Sequence, residues 1–159
     1  MSTRAERERA TYGFGLALDD GDLVLTDGRL AETSGLATLR QDLQALLATP
    51  LAGDRLDVRY GLDLRDALTS ALPRHLVKEV LRMNIVRTIA TDRRVSTIER
   101  VQFDDDPEFL AAHPGARPDP ATRSALVEIT LTPVPLVLSV SEPASIADTR
   151  VQILADVRW

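Results

Sequence analysis

Few side chains in this sequence are equipped for chemistry, and their spacing narrows the choice further. The 159 residues contain no cysteine and two histidines, His75 and His113. Disulfides and thiolate metal sites are therefore excluded. Neither histidine has another histidine four residues away, the spacing of helix-borne metal pairs, and each is expected to be solvated. No Gly-x-Ser-x-Gly elbow is present, and Gly13-x-Gly15 opens no helix that could cradle a phosphate. Asp104-Asp105-Asp106 lacks the downstream glycine and glutamate of a calcium loop and is expected to be a solvated turn. Asp54 with Asp57 could support glycoside hydrolysis, but the six aromatics of the chain leave little to line a sugar subsite. No enzyme activity, cofactor or metal is expected.

Charged residues without an evident role in a fold remain. Lys78 and Arg82 are like charges at i, i+4, unfavourable unless an acidic partner faces them. They are candidates for holding an acidic protein. Asp92-Arg93-Arg94 follows a helix and precedes a strand. The arginines either complement the negative end of the helix dipole or dock on acidic groups of another chain. Trp159 is a core plug or a partner anchor.

The elements that must position these groups are of both kinds. Residues 1–11 form a charged lead-in, either a mobile terminus or a short solvated helix held by i, i+4 pairs. Residues 12–31 read as a small hairpin around Asp19-Asp20-Gly21-Asp22, with a second Asp-Gly at Asp27-Gly28. Ser34 is the expected N-cap of a helix over 35–48, in which Leu36, Leu39, Leu43, Leu46 and Leu47 share a face. Thr49-Pro50 ends it. A brief helix is expected over 63–70. Pro73 opens a longer one to about Thr91, with a stripe of Val77, Leu81, Ile85 and Ile89 widened by Leu76, Val80 and Met83.

Strands are expected over 96–103, 126–132, 136–140 and 150–159, the last running to Trp159. Residues 104–123 read as a long surface loop, and no internal repeat is evident. The expected architecture is α+β, a mostly antiparallel sheet packed against the helices at 35–48 and 73–91, within one domain over 12–159.

Composition limits the partners. Acidic side chains outnumber basic ones by 24 to 19, a net charge of -5, which argues against nonspecific nucleic-acid binding. No apolar run reaches the ~18 residues of a membrane span, and Met1 to Arg9 lacks the apolar core of a signal peptide. A soluble, acidic, aromatic-poor domain is the expectation.

One pattern spans Leu39 to Val101. A leucine-rich helix ends in Leu46-Leu47-Ala48-Thr49; then come Gly53-Asp54-Arg55, Tyr60-Gly61 and Leu64, and the long helix closes in Asp92-Arg93-Arg94-Val95. In that order and spacing the stretch resembles the gene-25-like baseplate wedge family, the sheath initiators of contractile phage tails and related injection machines. The family carries Glu where Asp54 stands, and a Glu-Pro-Arg turn where this chain has Asp92-Arg93-Arg94 without the proline. The resemblance implies a structural role: a baseplate part, synthesised and assembled in the cytoplasm, that binds the wedge through the 92–94 turn and offers a sheet edge to the first sheath ring. Implied partners are wedge proteins and sheath protein, with tube or hub proteins as further candidates, in several copies around a tube. A regulatory protein-binding domain and a wall-degrading hydrolase are the competing readings.

Overall fold

The computed structural model describes residues 3–69, 71–118, 122–136 and 149–158. The charged lead-in is a helix, α1 (Arg4–Tyr12), and not a mobile terminus. Thr3 and Glu6 make a reciprocal capping box: Glu6 N–H donates to Thr3 Oγ1 at 3.2 Å, and Thr3 N–H to Glu6 Oε2 at 2.7 Å. Tyr12 at its end is 3% exposed and its hydroxyl donates to Val134 O at 2.7 Å. That burial anchors a helix whose other face is charged.

The expected single hairpin at 12–31 is three two-stranded pairs. Strands β1 (Phe14–Leu16), β2 (Leu18–Asp19), β3 (Asp22–Leu23), β4 (Leu25–Thr26), β5 (Arg29–Leu30) and β6 (Glu32–Ser34) pair antiparallel as β1-β6, β2-β3 and β4-β5. At their meeting point Ala17 N–H donates to Ala31 O, Ala31 N–H to Val24 O and Val24 N–H to Ala17 O, at 2.8, 2.9 and 3.0 Å. These three residues close a ring. A repeat, unexpected from the sequence, underlies it: Leu16-Ala17-Leu18, Leu23-Val24-Leu25 and Leu30-Ala31-Glu32 recur every seven residues. Two of the lobes turn through Asp20-Gly21 and Asp27-Gly28, where both residues have positive φ, as a primed hairpin turn requires.

Helix α2 (Leu36–Ala48) follows. Its N-cap is Gly35 rather than Ser34, because Ser34 is committed to β6 opposite Phe14. Leu39, Leu43, Leu46 and Leu47 are buried as their spacing predicts. After α3 (Arg65–Thr69), α4 (Arg74–Ile89) is N-capped by Pro73 and buries Val77, Leu81, Ile85 and Ile89. The stripe is widened by Lys78 and Asn84, while Leu76 and Met83 are exposed. Asn84 is satisfied, its Nδ2 donating to Asp63 O at 2.9 Å.

The sheet runs β7 (Val95–Phe103), β8 (Ser124–Pro133), β9 (Val151–Arg158), antiparallel throughout. In β9 buried and exposed residues alternate without a break, and its buried face packs with α2 in the one core. The expected α+β architecture, antiparallel sheet against α2 and α4, is what forms. The loop expected over 104–123 contains a helix, α5 (Pro107–Ala112), with Pro107 in its first turn and Phe109 1% exposed. Burial of Phe109 gives a six-residue helix its tertiary support. Of the strand expected over 136–140, residues 137–140 lie outside the described residues, as does Trp159.

Candidate docking turn and its supports

The Asp92-Arg93-Arg94 turn is built from the end of α4. Asp92 N–H donates to Ile89 O at 3.0 Å and Val95 N–H returns to Asp92 O at 3.1 Å, so the chain reverses directly into β7. Within the turn Asp92 Oδ1 accepts the Arg94 backbone N–H at 2.9 Å, an Asx turn. The Arg94 guanidinium then grips the same carboxylate with two bonds, Nε to Oδ1 at 3.0 Å and Nη2 to Oδ2 at 2.7 Å. Its Nη1 reaches Asp42 Oδ2 on α2 at 2.7 Å and Tyr12 O at the end of α1 at 2.8 Å. Arg94 therefore ties the turn, α2 and α1 into one unit.

Arg93 is not held in this way. It is exposed and makes no hydrogen bond or ion pair among the described residues. Of the three residues expected at this site, two are committed internally and one is free to meet another chain.

Burial alone would raise the Asp92 carboxyl, but the hydrogen bonds and charge of Arg94 outweigh it and hold the group below the ordinary carboxylate value. The Arg94 guanidinium is raised in turn, first by its hydrogen bonds to Asp92. Asp63 is held at about 2, chiefly by hydrogen bonds from the Arg65 guanidinium and backbone N–H. A depressed carboxylate stabilises the fold above its unfolded pKa and loses that contribution as pH falls through its folded one. The urea midpoint is therefore expected to be flat from neutrality to about pH 4.5 and to drop between about pH 4 and 2. Asp92→Asn should be less stable at neutral pH and show a shallower acid drop; an identical acid limb in the variant would refute the pairing.

Lys78 and Arg82 do have an acidic partner, and the same chain supplies it. Lys78 is 4% exposed, with Nζ 3.1 Å from Asp104 Oδ1 and 2.5 Å from Asp105 Oδ1. Arg82 Nη2 lies 3.2 Å from Asp106 Oδ2, and its Nη1 donates to Val101 O. Both cations also stand over the Phe103 ring, at 5.3 and 5.1 Å from its centroid. The three aspartates are thus the counter-ions of α4 rather than a solvated turn. The sequence contained this signal, a like-charge i, i+4 pair and an unassigned acidic triplet, but nothing in it joined the two.

A second turn is held by its own carboxylates. Asp54 Oδ1 accepts the N–H groups of Leu56 and Asp57 at 2.7 and 3.4 Å, and Asp57 Oδ1 that of Arg59 at 2.9 Å. Both carboxylates shape the loop. The loop closes where Leu62 N–H donates to Thr49 O at 2.8 Å and Leu51 N–H to Leu62 O at 2.9 Å. Gly61 sits inside that closure at φ +112°.

His113 is more than a solvated histidine: its ring stacks on Phe109 at 4.3 Å and its Nε2 lies 3.5 Å from Glu128 Oε2. Among the described residues no group of three or more His, Cys, Asp or Glu side chains is arranged to hold a metal ion, and no helix is long and apolar enough to cross a membrane.

In comparison with known protein families, residues 13–111 match the contractile injection system sheath initiator, well over half of the chain. No curated protein and no solved structure matches it.

Proposed function

The chain belongs to the sheath initiator family of contractile injection systems, a structural component of such a tail, and from that premise we propose that it joins the baseplate wedge to the first ring of sheath. The observation that supports the reading is the sheet order β7-β8-β9, in which, among the described residues, β9 is an outer strand of eight residues. An outer strand presents unpaired N–H and C=O groups to which an extended segment of another chain can add. We assign that role to the β9 edge and its occupant to the sheath protein. No catalytic step is assigned, since Asp54 and Asp57 are spent on turn hydrogen bonds.

The wedge contact is assigned to Arg93, exposed on a turn that Asp92 and Arg94 hold rigid. A planar guanidinium on a fixed turn can make bidentate bonds to a carboxylate of a neighbouring protein. Arg93→Glu should leave the melting temperature of the purified chain unchanged and sharply lower the yield of sheathed particles. Arg94→Glu should lower both, because it breaks the bonds to Asp42 and Asp92. Normal yields of sheathed particles with Arg93→Glu would remove the wedge assignment.

A further inference from the structure

We propose that the three-lobed cap of residues 13–35 is a protein-docking face whose partner presents an apolar centre ringed by lysine and arginine. The inference rests on the sheath-initiator reading in one respect: the partner is another component of the same particle.

The apolar side chains of the cap are exposed, although the Arg9 guanidinium stands over the Phe14 ring at 3.8 Å. Phe14, Leu16, Leu18, Leu23, Leu25 and Leu30 are 61, 42, 39, 53, 67 and 48% exposed. Leu18 opposes Leu23 and Leu25 opposes Leu30 across their strand pairs, so each pair shares one side of its lobe. The ring of Ala17, Val24 and Ala31 holds the lobes together. Six exposed apolar side chains on strands of two or three residues mark an interaction surface, because isolated hairpins of that size are at best marginally stable in water.

The charges say what the partner carries. Five carboxylates lie on the cap, Asp19, Asp20, Asp22, Asp27 and Glu32, against the single Arg29. Glu32 is paired with Arg9 at 3.5 Å. The four aspartates have no cationic partner among the described residues. Asp19 and Asp22 stand directly opposite each other in the β2-β3 pair, an arrangement that costs stability in the free chain. Cationic groups brought by a partner would relieve that repulsion and steer its approach. A second copy of this face would bring aspartates against aspartates, and an anionic membrane would repel them as well.

The test uses particles produced from their full gene set in a recombinant host, with the chain as wild type, as Leu25→Asp, or as Asp20→Asn with Asp22→Asn. The readout is the amount of this chain per purified particle by quantitative mass spectrometry. Leu25→Asp should melt like wild type, since the side chain is largely exposed, yet its incorporation should fall roughly tenfold or more. The double asparagine variant should be incorporated less than wild type at low salt and respond less to added NaCl. Wild-type incorporation of a folded Leu25→Asp chain would overturn the assignment while leaving the sheath-initiator reading intact. Absence of the wild-type chain from particles would overturn both. Sedimentation of the purified chain and flotation with phosphatidylglycerol vesicles complete the experiment. Self-association or vesicle binding that Leu25→Asp abolishes would give the face to a second copy or to lipid, and overturn the proposal.

Discussion

Gly61→Ala should unfold at markedly lower denaturant than wild type, with a loss of at least about 3 kcal/mol and a fall in melting temperature of roughly 6–12 °C. Two independent costs add. At φ +112° an L-residue is strained by about 1–3 kcal/mol before any contact is considered. A Cβ there would also lie 2.5 Å from Thr49 O and 2.6 Å from Pro50 O. Both obstacles are backbone carbonyls, which cannot swing aside as a side chain would. Relief means opening the bonds that close the 49–62 loop, and with them the seat of Leu62, which is 0% exposed. Gly21→Ala is the control for strain alone, because its φ is +87° and no atom lies within 4 Å of the new Cβ. It should cost about 1 kcal/mol. A Gly61→Ala chain as stable as Gly21→Ala would show that the loop closure yields easily.

Lys78→Ala should cost about 3–5 kcal/mol, the usual penalty for removing one partner of a buried ion pair. The ammonium is buried at 4% exposure between two carboxylates, and Asp104 is itself 14% exposed at its side chain. Without Lys78, Asp104 is left with little solvent and one remaining bond, from Leu126 N–H at 3.3 Å. The double variant Lys78→Met with Asp104→Asn removes both charges and fills most of the vacated space. It should recover more than half of the loss, since an apolar replacement for a buried pair is often near neutral. Urea denaturation of the three chains measures this directly. Equal stability of Lys78→Ala and wild type would mean that solvent reaches the pair far more than its burial indicates.

The same lysine shows how much of the fold was legible in the residues. The stripes of α2 and α4 follow from leucine and isoleucine spacing, a local property, and both helices form where expected. The width of the α4 stripe does not follow. Hydrophobicity favours Leu76 and Met83, yet Lys78 is taken into the core because Asp104, 26 residues away, neutralises it there. The cap of α2 fails for a related reason: Ser34 has the right chemistry, but its pairing with Phe14 moves the helix start to Gly35. The seven-residue repeat escapes notice because its third unit puts Glu32 where the others have leucine.

At the candidate docking turn the residues themselves stand out, through motif order, while their internal contacts do not. Arg94 is spent on Asp42 and on the Tyr12 carbonyl, 52 and 82 residues away in sequence, contacts that no local pattern encodes. Only folding reveals that Arg93 is the side chain left over.

The packing of α2 against β9 has a consequence for synthesis. Gln44 Nε2 on α2 donates to Leu154 O on β9, a contact 110 residues apart in sequence. At translation rates of about 5–20 residues per second, the leucine stripe of α2 waits roughly 5–20 s on the ribosome for the strand that covers it. Closure of so distant a contact is also intrinsically slow. During that interval the apolar surface that β9 covers is exposed, the kind of surface that promotes aggregation, and a product lacking β9 would expose that part of the core for its whole lifetime.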